Sequence, residues 1–300
     1  MKKRNTGKVK LDRSEKQVKT IAYILMGLFA LAAIIPCMHV IAKSLSHGTA
    51  VIAGKVTIVP IEPQMDGYLA ILKNTDFLLA LANQLWVTVV GVIVNMIVSV
   101  LFAYPLSKSN LYGKKAITIC CMVAMTFSGG TIPTYLVVRS MGMLNSFAAL
   151  IIPSCMSIFD MLILKNYFES LPDSVLESAS LDGASEAQTL MHIVLPMSTP
   201  VIATVSLLYA IGHWNSYFPA MLYLTKPNMI TLQVFIKNFI SSGAGTLVSS
   251  LERTSDLVGV VSGGVLIACI SVLGIIPIIT VYPFVQKYLQ KGMTIGSVKG

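Results

Sequence analysis

The sequence predicts an all-α, polytopic membrane protein with six transmembrane helices, and three observations lead there. Of its 300 residues, 55% are hydrophobic and only 12% charged, against about 25% charged in an ordinary soluble domain. Six apolar runs are long enough to cross a hydrocarbon core of about 30 Å at about 1.5 Å per residue. Finally, the segments between those runs carry Lys and Arg unevenly, which orients a membrane chain.

Residues 1–20, MKKRNTGKVKLDRSEKQVKT, hold eight basic and two acidic residues and too few apolar side chains to fold alone. They read as a cytoplasmic basic tail. The first span, residues 21–41, is too long for a signal-peptide core and lacks a small-residue cleavage pattern, so it reads as an anchor. Residues 42–77, of mixed polarity with Pro60, Pro63 and Gly67, read as an external loop. Residues 78–285 form the core with the other five spans. Span two, about Leu78–Leu106, contains Asn83, Gln84 and Asn95, uncharged amides that need partners at membrane depth and face other helices or a pathway. Span three, Ala116 to about Val138, contains Ser128-Gly129-Gly130 and Pro133, which break or kink a helix. Spans four, five and six cover about Phe147–Tyr167, Val201–Leu224 and Val258–Val281, and residues 286–300 read as a cytoplasmic tail.

With the N-terminus inside, the cytoplasmic segments hold fifteen Lys and Arg: eight in the first tail, Lys108, Lys114 and Lys115 in one turn, Lys165, and three in the last tail. The external segments hold seven. The positive-inside rule then places both termini in the cytoplasm, together with residues 169–200, between spans four and five. That stretch is an acidic island, with Glu169, Asp173, Glu177, Asp182 and Glu186 and no Lys or Arg. Pro172 suits a first helical turn, Gly183 a left-handed stop, and Ser185 with Gln188 a capping box, so two short helices are expected. Ala187, Leu190, Met191 and Val194 fall at i, i+3, i+4 and i+7 as one apolar stripe, with Leu195-Pro196 ending the second helix. An apolar and acidic helix–turn–helix in water has the makings of a knob for another protein's groove.

The net charge of +9 forms no basic patch interleaved with aromatics, so nucleic acid is not expected as a partner. The five Cys are odd in number, lie in apolar segments and show no CxxC spacing, which assigns neither disulfide nor metal. No phosphate-loop, HExxH or GxSxG motif occurs, and the four His are scattered over different segments. The chain is therefore not expected to be an enzyme.

Glu177-Ser178-Ala179, Asp182-Gly183-Ala184 and Ile193-Val194-Leu195-Pro196, with nine residues between Gly183 and Ile193, closely resemble the EAA loop of binding-protein-dependent ABC importer permeases. Ser178 stands where Ala is usual and Leu190 where an aromatic is common. The start of span two, Phe127–Tyr135, the run Trp214–Pro219 and the tail, Tyr282-Pro283-Phe284 with Gly296–Gly300, resemble the carbohydrate-uptake branch, in particular its aldouronate-type permeases. The resemblance implies a multi-pass subunit of the bacterial plasma (inner) membrane, in contact with lipid, that carries a sugar or oligosaccharide. It implies a homologous second permease, an extracytoplasmic solute-binding lipoprotein, and two copies of a cytoplasmic ATPase that bind ATP and Mg; this subunit itself holds no cofactor. Glu177, Ala179, Asp182, Gly183, Ala184, Ile193, Leu195 and Pro196 are then the residues that couple to the ATPase.

A second reading, an ATP-independent secondary transporter or channel, leans on intramembrane ionisable groups. Asp160 is the single mid-span carboxylate in its favour. Trp214, Asn215 and Tyr217 are candidate sugar contacts or members of an interfacial aromatic belt, and Asn95 and Asp160 are candidate pathway residues on polarity alone.

Overall fold

A computed structural model of the chain describes residues 13–127, 129–242 and 261–296. Among the described residues the structure is helical, without strands. Contacts divide it into two compact units, one from the residues up to Ala70 and Gly243–Val272, the other from Ile71–Ser242 and Leu273 onward. Three helical stretches, Gln17–Ser44, Thr75–Ser107 and Gly263–Val281, are each long and apolar enough to cross a membrane. Three bent pairs bring the number to six when each counts as one span.

The first unit contains α1 (Arg13–Ser44), α2 (Gly48–Ile52) and most of α3 (Asp66–Leu72). Ser44 at the end of α1 hydrogen-bonds the Tyr68 hydroxyl at 2.6 Å, and its carbonyl accepts from Cys269 Sγ at 3.3 Å. Ala42, Ala50 and Val56 form a small core. Residues 42–77 thus hold two short helices and the start of a third where the sequence suggests a loop. The first helix also begins eight residues before its apolar run, at Arg13 rather than Ile21, since propagating an existing helix is far easier than nucleating one.

The second unit is built around α4 (Thr75–Ser107), capped by Asn74, whose side chain accepts from Phe77 N at 2.8 Å. Ala80, Gln84, Val87, Gly91, Asn95, Ser99, Ala103 and Leu106 are all buried. Their spacing of three or four makes one stripe along the helix. α5 (Lys114–Thr126) and α6 (Thr131–Ser140) meet at 110°, and α7 (Ala148–Ile151), with one 3-10 turn, meets α8 (Ile158–Glu169) at 52°. After the island come α9 (Asp173–Leu181), α10 (Glu186–Thr189), α11 (Leu195–Met197), α12 (Thr199–Trp214), α13 (Phe218–Tyr223) and α14 (Leu232–Ser241). The last helix, α15 (Gly263–Gly296), begins in the first unit and continues in the second. One core joins Ala103, Tyr104 and Leu106 of α4, Met161, Leu164 and Phe168 of α8, and Val201, Val205 and Tyr209 of α12.

Several expectations are corrected here. Span four is not continuous: it breaks at residues 155–157, so Asp160 sits in the first turn of α8, just after Ser157 caps it, and not in mid-helix. Span five stops at Trp214 and restarts at Phe218. Leu195-Pro196 does not end the island's second helix, which runs on to Met197 because a π turn over Leu190–Val194 absorbs the proline. Its wider ring gives Leu195 N the Leu190 carbonyl and relieves the clash that Pro196 would cause in a regular α-helix. The apolar stripe is split: Leu190 and Val194 are buried in the core, whereas Ala187 and Met191 are exposed. The C-terminal tail is helical as far as Gly296. Residues 1–12, Ser128, the 258–260 start of span six and residues 297–300 lie outside the described residues.

Candidate coupling surface and polar cavity

The island folds by local rules. Pro172 stands at the N-cap position just before α9, not in its first turn and without a capping bond, and Asp173 in that first turn complements the helix dipole. At the other end Asp182 is the C-cap and Gly183 takes φ +79°, which brings Ala184 N to the Ala179 carbonyl at 3.0 Å. Ser185 then opens the second helix with both bonds of a capping box: Gln188 N donates to Ser185 Oγ at 3.3 Å, and Ser185 N to Gln188 Oε1 at 2.8 Å. Ala179, Leu190 and Val194 anchor this unit by burial. Glu177, Asp182, Gly183 and Pro196 are exposed, while Ala184, Ile193 and Leu195 are half-buried. Leu181, 88% exposed, and Met191 add exposed apolar groups to this stretch.

The five carboxylates fall into two sets. Glu186 pairs with Lys108 at 2.9 Å and accepts from the Tyr104 hydroxyl, while the Lys108 ammonium lies 4.8 Å from the centre of the Tyr104 ring. Glu169 sits between Lys114 at 2.7 Å and Lys165 at 2.9 Å. The bonds from Tyr104 and Lys108 hold the Glu186 carboxyl below the ordinary range. Burial pushes Glu169 up and Lys108 down, but Lys114 and Lys165 outweigh it at Glu169, and Tyr104 and Glu186 outweigh it at Lys108. The net result is a lowered Glu169 and a raised Lys108. Asp173, Glu177 and Asp182 have no ion pair with the described residues. The basic turn 107–115 therefore lies against the island and neutralises two of its charges.

At the other functional candidate, α4, α8 and α12 enclose a cavity of about 460 Å³ beside the breaks at 155–157 and 215–217. Asn95, Ser157, Asp160, Tyr209, Gly212 and His213 are on its wall. Side chains satisfy the backbone freed at the first break: Asn95 Nδ2 donates to the Ser154 carbonyl at 3.0 Å, and Ser157 N donates to the Tyr209 hydroxyl at 3.0 Å. Tyr209 also bonds Ser99 Oγ at 2.6 Å. Gln84 Nε2 donates to the His213 carbonyl at 2.9 Å, and the His213 ring packs onto Gly91, where a Cβ would stand 2.5 Å from Nε2. Asn83 donates to the carbonyls of Asn228 and Ile230, so all three amides of span two face other segments.

Of the pathway candidates, Asn95 and Asp160 come together on this wall; Trp214, Asn215 and Tyr217 do not. Trp214 is 4% exposed and donates its indole N–H to the Gly274 carbonyl at 3.1 Å, tying α12 to α15. Asn215 is exposed and caps its own helix through the Ile211 carbonyl, and Tyr217 is half-buried with its hydroxyl 2.9 Å from Met221 Sδ. Among the described residues no group of three or more His, Cys, Asp or Glu is arranged to hold a metal ion.

The model of one protein family, described as "Binding-protein-dependent transport system inner membrane component", matches residues 13–295. The chain belongs to that family. It is thus an inner-membrane permease of a binding-protein-dependent system. The permease is 37% identical over 285 residues to the polygalacturonan/rhamnogalacturonan transport system permease protein YtcP of Bacillus subtilis, covering 93% of this chain and 97% of that one. It is also 37% identical over 281 residues to protein LplC of the same organism, covering 92% and 93%. Among solved structures it matches a chain of a bacterial ABC transporter involved in the import of the acidic polysaccharide alginate. There the TM-score is 0.83 at 34% identity, over 93% of this permease and 99% of that chain.

Sequence reasoning about the permease missed Tyr104, Lys108, Tyr209 and His213. Lys108 and Glu186 were each visible as charges, but a lysine in one turn and a glutamate 78 residues later carry no sign of pairing. Tyr209 and His213 share a face of α12 at i and i+4 within an otherwise apolar run, the only signal they gave.

Proposed function

We propose that this permease is the membrane subunit of an ATP-driven sugar or oligosaccharide importer, and that residues 169–200 couple it to a separate cytoplasmic ATPase. The observation that carries the reading is the island itself, a preformed helix–turn–helix whose inner residues are locked into the core while its outer face presents Glu177, Leu181, Asp182 and Met191. A rigid knob with unpaired carboxylates and exposed apolar groups suits a groove with basic rims. Sugar as cargo is supported by the relatives, one a permease of polygalacturonan/rhamnogalacturonan transport and one a chain of a transporter involved in the import of alginate. A further solved structure of lower similarity, TM-score 0.56, is of an alginate transporter in complex with an alginate pentasaccharide-bound periplasmic protein. On this reading the working unit is two related permeases, two ATPase copies holding ATP and Mg, and an extracytoplasmic binding protein, with both permease termini and the island in the cytoplasm.

The test is co-purification of the ATPase with membranes bearing Gly183→Val or Glu177→Ala, followed by cargo-stimulated ATP hydrolysis. Gly183→Val forces a β-branched residue into the left-handed region and tilts the second helix, so it lowers ATPase retention at any salt concentration. Glu177→Ala removes one docking charge, so its defect relative to the wild type is largest at low salt and shrinks as salt screens that charge in the wild type. Retention and stimulation at wild-type levels in both variants sinks the coupling role.

A further inference from the structure

The island is fastened to the rest of the permease unevenly. Its first helix, α9, carries Glu177 and buries only Ala179. Its second helix buries Leu190 and Val194 in the core shared with α4, α8 and α12. The start of that second helix is held separately, by polar bonds. Glu186, its first residue, offers one oxygen, Oε2, to both the Tyr104 hydroxyl and the Lys108 ammonium, the latter at 2.9 Å. Tyr104 and Lys108 stand one turn apart at the C-terminal end of α4, with the ammonium 4.8 Å from the centre of the Tyr104 ring. Apolar burial is non-directional, whereas a carboxylate shared by two donors fixes position and orientation. The two donors therefore set where the turn at Gly183, and α9 before it, lie against α4.

Along the chain itself the route from the island into the membrane is bent. The stretch Glu186–Met197 meets α12 at 83°, and the π turn over Leu190–Val194 precedes that bend. By contrast, α4 is one helix from Thr75 to Ser107. Asn95, on the cavity wall, lies nine residues before Tyr104, with no glycine or proline between them. That is about 14 Å of helix at about 1.5 Å per residue. Asn95 holds the Ser154 carbonyl at 3.0 Å, beside the 155–157 break. A displacement of the Tyr104 end is thus passed by a rigid element to a bond at the break, the kind of physical link that carries coupling between sites.

We infer that Tyr104 and Lys108 are positioning residues for coupling: through Glu186 they fasten the island to α4, and α4 carries movement of the island to the cavity wall at Asn95. The inference rests on the importer reading of the island and names the helix and side chains through which its movement passes.

The experiment is hydrogen exchange of the purified transporter complex, ATPase included, with and without Mg-ATP and vanadate. In the wild type the nucleotide changes exchange both in α9 and at Ser157, whose N–H closes the break by donating to the Tyr209 hydroxyl. Tyr104→Phe keeps the ring in the core and removes the donor. Its α9 response remains, while the nucleotide-dependent change in protection at Ser157 shrinks about fivefold, the worth of one ordinary hydrogen bond. Lys108→Met, which removes the other donor, gives the same split. Both variants retain the ATPase and unfold near the wild-type midpoint; a merely structural role would lower the midpoint and leave the Ser157 response whole in the folded complexes. The inference is overturned if the nucleotide changes α9 but not Ser157 in the wild type, or if both variants pass the full response to Ser157. Failure of the importer reading shows differently and removes the inference with it: no ATPase co-purifies with the wild type, or the nucleotide leaves α9 unchanged.

Discussion

Gly183 in the island and Gly91 on α4 both resist substitution, for opposite reasons. At Gly183 a Cβ would meet nothing within 4 Å, and the constraint is the backbone at φ +79°. At Gly91 the backbone is ordinary helix, and the constraint is space: a Cβ would lie 2.5 Å from His213 Nε2 and 2.7 Å from two ring carbons. The same contrast runs through the polar groups. Around the island, charges pair across exposed surface, as in Lys108–Glu186 and Lys114–Glu169. Around the cavity, neutral amides and hydroxyls bond backbone, as Gln84 does to His213 and Asn95 to Ser154. The island keeps its shape by conformation and screened charge, and the cavity by contact and fixed dipoles. The two regions should therefore fail under different perturbations.

The largest effect is expected at Gly91. Gly91→Leu drives a side chain into the His213 ring and costs about 3 kcal/mol as overpacking, seen as a fall of several degrees in the unfolding midpoint of the purified complex. Gly91→Ala costs less, and combining it with His213→Ala recovers most of that loss, because the clash has a single partner. An additive double variant would show that backbone packing, not the ring, excludes a side chain there.

Next comes Tyr209→Phe, which leaves Ser157 N and Ser99 Oγ without the hydroxyl they share. Stranding two buried groups costs roughly 2 kcal/mol. The loss should show in hydrogen exchange, with faster exchange at the 155–157 break and unchanged exchange across α9. Protection unaltered at Ser157 would mean that the break is held by packing alone.

These two sites also show where the sequence stops being legible. Part of the inner face of α4 was legible, since the amides Gln84 and Asn95 demand partners in any membrane helix, whereas Gly91 and Ser99 on the same face gave no such sign. The island was equally readable, down to the two bonds of its capping box, because caps and left-handed stops are decided within four residues. The breaks at 155–157 and 215–217 were not. Pro153 and Pro219 flank them, but a proline in the first turn of a helix is common and does not by itself announce a break, and what stabilises the first is Asn95 and Tyr209, from distant segments. The π turn was hidden for a related reason: Pro196 reads as a helix stop, and only the burial of Leu190 and Val194 makes it worthwhile for the helix to continue past it.

A smaller effect separates conformation from charge within the island. Gly183→Ala and Gly183→Val each carry left-handed strain of roughly 1–2 kcal/mol, but only the valine adds a branched side chain. Partner binding should fall in the order glycine, alanine, valine while the unfolding midpoint of the whole complex barely moves, the reverse of the Gly91 series. Equal drops in midpoint and in binding would show that the island and the core unfold together.

The smallest effect is electrostatic, and its sign follows from the shifts. Glu169 and Glu186 are held below the ordinary glutamate value of 4.5. Their pairs therefore contribute fully above that value, and the contribution is lost as pH falls through the lower folded one. Lys108 is raised above 10.5, so its share is present below that value and is lost as pH rises through the higher folded one. Between about pH 5 and pH 10 both sets are intact and the contribution of these pairs should be flat in pH. Glu186 is 73% exposed in its side chain, so the Lys108–Glu186 pair is worth under about 1 kcal/mol and less in high salt. Glu186→Lys places two ammonium groups together beside Tyr104 and should loosen the 107–115 turn from the island at low salt only. Adding Lys108→Glu restores an opposite pair and should restore the low-salt midpoint. Because Tyr104 donates to Glu186 in the native arrangement, that rescue should fall short in the reversed pair, and Glu186→Gln, which keeps an acceptor for Tyr104 but loses the charge, measures by how much. A reversed pair that recovers fully would show that the charge alone, and not the Tyr104 bond, fastens the turn to the island.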